Sequence, residues 1–220
     1  MLLSHEINFL ESDMGQYRLI GRRGAGSLIA EFLLQEAGQP YEIEFLGRGN
    51  IRASAFRAIN PLGKIPVMIC PDGSKIFETL AITAHLIEAF PQLASPMGHP
   101  ERDQHWQYLA ILATGIYPAY HRQHHTHYYA DEGAHDDVRA RARAEQAVTY
   151  DYIETLLNPF LCGAAVTAAD FYLYMLTRWD LDKPTLAATR PKLAAFIQAM
   201  RAHPSVDAVI ARQRPKPENT

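Results

Sequence analysis

The chain has 220 residues, 48% of them hydrophobic and 20% charged, and a formal charge of −3 from 21 Lys and Arg against 24 Asp and Glu. Domains usually run ~100–200 residues, so one large or two small domains fit this length, and disordered and miniprotein readings are excluded. No basic block is present to neutralise a run of phosphates, and the two cysteines, Cys70 and Cys162, lie too far apart for a disulfide framework or a closely spaced metal pair, so neither nucleic acid nor an oxidising compartment is expected.

Met1–Gln16 carries Glu6, Glu11 and Asp13 where a secretory leader would carry positive charge and an unbroken apolar core, and it reads as an N-terminal extension. Apolar runs such as Phe171–Leu176 are far shorter than a membrane span, so a cytoplasmic protein is expected. Tyr17–Ile20 reads as a short strand closed by Gly21-Arg22-Arg23-Gly24-Ala25-Gly26. Ser27 stands where a helix N-cap belongs, Leu28, Ile29, Phe32, Leu33 and Ala37 follow at helical spacing, and Gly38 is the stop. Tyr41–Phe45 alternates apolar and acidic residues, as a strand with one solvated face does, which completes a βαβ unit.

Val67–Cys70 and Ser74–Phe77, joined by Pro71-Asp72-Gly73, read as a β-hairpin. From Glu78 the apolar positions Leu80, Ile82, Ala84, Leu86 and Ile87 mark a helix that Pro91 ends. The segment Gln92–Pro100 reads as a boundary, and beyond it only helices are expected: Glu101–His121, Asp136–Leu157, Thr167–Leu176, Leu186–Ala202 and Val206–Arg212. Two domains follow, residues 17–91 and 100–212, with residues 213–220 as a tail.

Chemistry is concentrated in a few places. In Asn60-Pro61-Leu62-Gly63-Lys64-Ile65-Pro66-Val67, Pro66 stands at a strand entry, where it cannot donate to a ladder; a cis bond there would leave the Ile65 amide and carbonyl free for a peptide-like ligand. An ordinary proline-punctuated loop is the alternative. Glu78-Thr79 opens a helix, whose N-terminus suits a carboxylate while Glu78 suits an ammonium group, so the pair could grip an α-amino-acid head; simple capping and dipole compensation is the alternative. His121, His124, His125 and His127 crowd together without Cys or acidic partners, which fits a polar rim or helix end better than a metal site. Trp106, Tyr108, Tyr117 and Tyr120 suit a core or a pocket wall.

The order of βαβ, Asn-Pro-Leu-Gly-Lys-Ile-Pro, hairpin, Glu-Thr-Leu-Ala-Ile and an all-helical half resembles the cytosolic glutathione S-transferases. Phe160–Asp170 resembles that family's buried capping-box segment, with Thr167 and Asp170 at the reciprocal capping spacing. Gly24-Ala25-Gly26-Ser27-Leu28 and Ala169–Tyr174 with Arg178-Trp179 are similar to the bacterial beta-class branch. The resemblance implies an α/β plus all-α architecture: an N-terminal thioredoxin-like βαβαββα domain followed by a C-terminal all-helical domain.

It also implies glutathione as co-substrate, no metal, a small apolar electrophile seated between the domains, and a homodimer. Ile65, before Pro66, would bind the cysteinyl part through its backbone; Glu78 and Thr79 would hold the γ-glutamyl end; the thiol would lie near Gly24–Ser27. Here the sequence departs from the family pattern, because Gly26 stands where beta-class members carry Cys and Gly24 where several other classes carry Ser. Tyr17 begins its strand and is badly placed to be a catalytic tyrosine. Ser27 is the nearest remaining hydroxyl, with plain helix capping as its other role, and Tyr117 stands about where beta-class members place a thiol-proximal histidine. The expected activity is conjugation of the glutathione thiolate to electrophiles. A glutathione-dependent isomerase, dehalogenase or peroxidase, and a non-catalytic binding module, are the alternatives.

Overall fold

The computed structural model describes residues 15–51 and 54–214. Most of the expected N-terminal extension and the final stretch Pro215–Thr220 lie outside the described residues. The chain divides into two compact units, one holding residues up to Leu86 together with those from Val209, the other holding Ile87–Ala208.

The first unit is built on a four-stranded sheet in the order β2-β1-β3-β4, formed by β1 (Tyr17–Gly21), β2 (Tyr41–Phe45), β3 (Val67–Ile69) and β4 (Lys75–Phe77). β1 pairs parallel with β2 and antiparallel with β3, and β3 pairs antiparallel with β4. α1 (Ser27–Glu36) crosses from β1 to β2, as a parallel pair requires. Two short helices, α2 (Arg48–Ile51) and α3 (Ser54–Ile59), fill the β2-to-β3 connection, and α4 (Thr79–Ala89) follows the hairpin. This is the βαβαββα order expected from sequence. Beneath one part of the sheet, Ile20, Leu46, Phe56, Val67 and Ile69 form a closed apolar cluster on which Ile51, Ile59, Ile65 and Phe77 pack.

The second unit is helical, again as expected, with two boundaries corrected. The region 101–124 is a continuous helical rod, but α5 (Glu101–Ile111) and α6 (Tyr117–His124) are separated by a π-helical stretch, Leu112–Ile116. Pro118 explains it: proline has no N–H and its ring crowds the carbonyl one turn back, so the preceding turn widens. The expected single helix Leu186–Ala202 is two, α9 (Lys183–Ala188) and α10 (Pro191–Ala202). Pro191 starts the second and forces Arg190 into an extended conformation, φ −137° and ψ 86°, which breaks the first. The Glu154 carboxylate of α7 (His135–Leu156) then caps α10, accepting from the Lys192 and Leu193 amides at 2.8 Å each. α11 (Pro204–Arg212) is the last helix among the described residues.

α8 (Ala168–Thr177) is the centre of this unit, and all of its residues are buried. Its first turn holds the expected capping box. Asp170 Oδ2 accepts from the Thr167 amide and hydroxyl at 2.8 Å each, and Oδ1 accepts from the Leu161 amide at 2.8 Å. Burial pushes the Asp170 carboxyl up to about 6 even against those three donors. His105 in α5 is fully buried as well, with neither ring nitrogen hydrogen-bonded among the described residues, and burial followed by the neighbouring Arg102 charge lowers it to about 4.

Two predictions follow from these buried groups. Asp170→Ala strands three donors in the interior and lowers the unfolding free energy by about 3 kcal/mol or more in urea titrations. His105 is depressed when folded, so its contribution is complete above its unfolded value of 6.5 and is lost as pH falls through about 4. His105→Phe is therefore expected to lose less stability than the wild type between pH 7 and pH 4, read as the difference between their urea midpoints.

Candidate functional site

Strand register gathers three irregular segments at one end of the sheet. Ile20 of β1 lies opposite Val67 of β3, and Val67 lies opposite Phe77 of β4. The end of β1, the start of β3 and the end of β4 are therefore neighbours. They carry the loop Arg22–Gly26 leading into α1, the Ile65–Pro66 step, and Glu78–Thr79 leading into α4. Two helix N-termini thus open at the same end of the sheet, each with main-chain donors that the helix itself cannot use.

Asn60 builds the approach to Ile65. It is 1% exposed; its Nδ2 donates to the Lys64 carbonyl at 2.6 Å and its Oδ1 accepts from the Leu62 amide at 3.0 Å. Gly63, at φ 61°, closes the turn by donating to the Asn60 carbonyl at 2.9 Å. The Ile65–Pro66 bond is cis. The Ile65 side chain packs on the apolar cluster, while its N–H and carbonyl make no hydrogen bond among the described residues. A short stretch of peptide edge is thereby left open at the sheet end.

Glu78 is the one non-glycine among the described residues with a positive φ, 73°, and it is exposed. Left-handed backbone costs a side-chain-bearing residue ~1–2 kcal/mol, and such conformations concentrate at ligand sites. The Glu78 carbonyl accepts the first helical bond of α4, from Ile82 at 3.0 Å, and the Thr83 hydroxyl donates to the Thr79 carbonyl at 2.8 Å. A carboxylate therefore stands immediately before a helix N-terminus.

At the third segment the structure changes the expectation for Ser27. The residue is fully buried and is the first residue of α1, whose N-cap is Gly26. Its hydroxyl donates back to the Arg22 carbonyl at 3.3 Å, so its proton is committed inside the loop and it caps nothing. Gly21 makes room for it: a Cβ there would fall 2.3 Å from Ser27 Oγ. Arg23 donates to the carbonyls of Arg212 at 2.9 Å and Arg214 at 3.4 Å and lies 4.2 Å over the Phe45 ring.

Sequence reasoning missed the group beneath this loop. Glu31 of α1 is fully buried, and Gln213 Nε2 donates to both of its carboxylate oxygens at 2.9 and 3.0 Å. The Gln213 Oε1 accepts from the Gly24 amide at 2.9 Å. Burial raises the Glu31 carboxyl to about 7, opposed by the Arg212 charge, the Gln213 hydrogen bond and the Arg23 charge. An acid amid the apolar helical spacing of α1 was the available signal.

In the helical unit, Tyr117 of α6 meets the edge of Trp179 at 5.0 Å and lies 6.5 Å from Tyr172. Trp179 also meets Tyr120 at 6.2 Å. Tyr120 donates to Asp180 Oδ2 at 2.8 Å and accepts from Tyr150 at 3.0 Å, and Gln146 Nε2 donates to the same Asp180 oxygen at 2.6 Å. Burial, then Tyr150 and Asp180, pushes the Tyr120 phenol well up, and burial pushes the Tyr150 phenol well up against its hydrogen bond with Tyr120. A pocket of about 330 Å³ beside this network is lined by Arg143, Gln146, Tyr150, Asp180, Asp182 and Arg190 among others, and none of the site residues expected from sequence lines it. The histidines pack on aromatic rings, with His121 4.7 Å from His125 and His127 4.2 Å from Tyr128. Among the described residues no group of three or more His, Cys, Asp or Glu is arranged to hold a metal ion.

Residues 27–89 match the glutathione S-transferase N-terminal domain, and residues 120–213 match the glutathione S-transferase C-terminal domain. Glutathione S-transferase GstA of Escherichia coli O157:H7 is 24% identical over 203 residues, covering 89% of this chain and 98% of that one. A Sulfitobacter glutathione transferase homologue solved with bound glutathione superposes with a TM-score of 0.82 at 24% identity, covering 90% of this chain and 99% of its own. Ure2p in complex with glutathione gives 0.79 at 22% identity, covering 92% and 97%.

The backbone at position 78 yields a stability test. Glu78→Gly removes the left-handed penalty and is expected to raise the unfolding free energy by up to about 1 kcal/mol, whereas Glu78→Ala keeps it and stays within about 0.5 kcal/mol of wild type. Equal urea midpoints for the two variants would contradict a strained residue here.

Proposed function

The chain belongs to the cytosolic glutathione S-transferase family, and from that premise we propose that it binds glutathione at the sheet end described above and directs the sulfur, as thiolate, at small apolar electrophiles. The observation that carries this reading is the open Ile65 N–H and carbonyl before the cis bond to Pro66, at the same sheet end as Glu78 and Thr79. A peptide edge and an anchor for an α-amino-acid head are together what a γ-glutamyl tripeptide needs. In this reading the Ile65 backbone pairs with the cysteinyl residue. Glu78 faces the γ-glutamyl ammonium, and Thr79 with the α4 N-terminus faces its carboxylate.

The thiol is then directed toward Gly24–Ser27. A free thiol has a pKa of ~8.5 and is only a few per cent ionised at neutral pH, so the site must stabilise the thiolate. With glycine at positions 24 and 26 and the Ser27 proton held by Arg22, this reading gives the task to main-chain N–H groups at the α1 N-terminus. Ser27 acts by fixing that loop. In the helical unit Tyr117 is the phenol assigned to the reacting sulfur or the electrophile. A homodimer and a cytoplasmic location accompany the reading.

The glycines at 24 and 26 also favour a second reading, a protein that retains glutathione and turns nothing over. Calorimetric titration with glutathione, alongside an aryl-halide conjugation assay, separates the two. Wild type is expected to bind and conjugate, and Glu78→Ala to lose binding by about tenfold or more, as for loss of a charge-assisted contact. Tyr117→Phe should alter the pH dependence of conjugation if its hydroxyl serves the sulfur, and Ser27→Ala should lower turnover through the loop. Binding without conjugation supports the second reading, unless product analysis with haloalkanes, isomerisable substrates or peroxides shows turnover. No binding overturns both.

A further inference from the structure

We infer that Gln213 and Glu31 are a positioning pair for the loop Arg22–Gly26, so that the end of the chain holds the segment beside which the glutathione sulfur is placed; this rests on the glutathione reading above. The Gly24 amide can only donate and the Glu31 carboxylate, when ionised, can only accept, so a single carboxamide at position 213 satisfies both, with Oε1 turned to Gly24 at 2.9 Å and Nε2 to Glu31 at 2.9 and 3.0 Å. Neither Asn nor Lys would span both partners in this way.

The neighbouring residues reinforce the tie from both sides. Arg23 of the loop donates to the Arg212 and Arg214 carbonyls, and the Arg212 guanidinium donates to Gln35 Oε1 and lies 5.0 Å over the Tyr41 ring. Residues 212–214, expected from sequence in part as a tail, thus bind the loop, α1 and β2 of one unit. Within itself the loop is held by Ala25 donating to the Arg22 carbonyl at 3.0 Å and by the Ser27 hydroxyl on that same carbonyl. Gly24, exposed and at φ 67°, has backbone freedom that these two bonds do not remove. The carboxamide of Gln213 adds a restraint at its amide.

Exchanging the two groups tests the pair without deleting it. Gln213→Glu sets two carboxyl groups against each other, whereas the double exchange Glu31→Gln with Gln213→Glu keeps an acceptor toward the Gly24 amide and one amide-to-carboxylate bond between positions 31 and 213, with donor and acceptor exchanged. The probe is S-methylglutathione, which cannot ionise at sulfur, titrated by calorimetry, with hydrogen exchange of residues 22–26 followed in the unliganded proteins. Gln213→Ala and Gln213→Glu are expected to weaken S-methylglutathione about tenfold and to speed exchange at Gly24 by a similar factor, while the double exchange returns both toward wild type. In conjugation assays the single variants should raise KM for glutathione more than they lower kcat.

Far-ultraviolet circular dichroism and thermal midpoints check that each variant folds, and Gln213→Ala serves if Gln213→Glu does not. Wild-type binding that the single variants leave unchanged overturns the positioning pair, as does failure of the double exchange to rescue a folded protein. Failure of the wild type itself to bind S-methylglutathione overturns the glutathione reading instead, and with it the placement of the pair beside a sulfur.

Discussion

Antiparallel pairing of β3 against β1, with Ile20 opposite Val67, fixes where everything else in the first unit can act. A parallel β3 would send its entry to the far end of the sheet. In the observed register the turn before α1, the Ile65–Pro66 step and the start of α4 share one end, and both helices there point their N-termini the same way. Main-chain hydrogen-bonding groups that helices and sheet leave unused are thereby concentrated in one region. The register is held by buried apolar residues, since a slip of one position would turn Val67 and Ile69 away from Ile20, Leu46 and Phe56.

The two units use buried charge in different ways. Asp170 sits under the first turn of α8 with all its partners drawn from the adjoining chain, so it secures local geometry at the centre of the helical core. Asp180 receives donors from α6, α7 and its own loop, joining elements distant in sequence, and Trp179 beside it packs on Tyr117 and Tyr120. Glu31 is tied to residues almost the whole chain length away, through Gln213. Asp170 and Glu31, both fully buried, are surrounded by donors because an unpaired buried carboxylate would cost several kcal/mol.

Much of this was legible in the sequence where local rules decide. The strands, the hairpin turn, α1 with Gly38 as its stop, and the Thr167–Asp170 box follow from spacing and from residues whose backbone preferences are strong. The division at Pro191 and the π stretch before Pro118 were readable in principle, because proline acts on its own turn, but apolar periodicity carried through both positions and masked them. What could not be read was long-range pairing. Glu31 looks like an ordinary helix acid until Gln213 lies over it, Asp180 looks like a loop residue until Tyr120 and Gln146 converge on it, and the left-handed backbone at Glu78 leaves no trace in residue type. At Ser27 the sequence suggested a cap, and the nearby Arg22 carbonyl took its proton instead.

The contact between Gly21 and Ser27 ties two positions together in any history of change. With Ser27 present, a methyl group at position 21 would overlap its side chain at 2.3 to 2.4 Å, whereas Ile43 Cδ1, the next atom, is at an acceptable 3.5 Å. Since the Ser27 Cβ is itself one of those atoms, only glycine at position 27 makes room for a side chain at position 21, and substitutions there are epistatic: Gly21→Ala is excluded with any side chain at 27 and accommodated without one. Because Ser27 also secures the Arg22 carbonyl, the intermediate step along that path loosens the loop before the strand can gain a side chain.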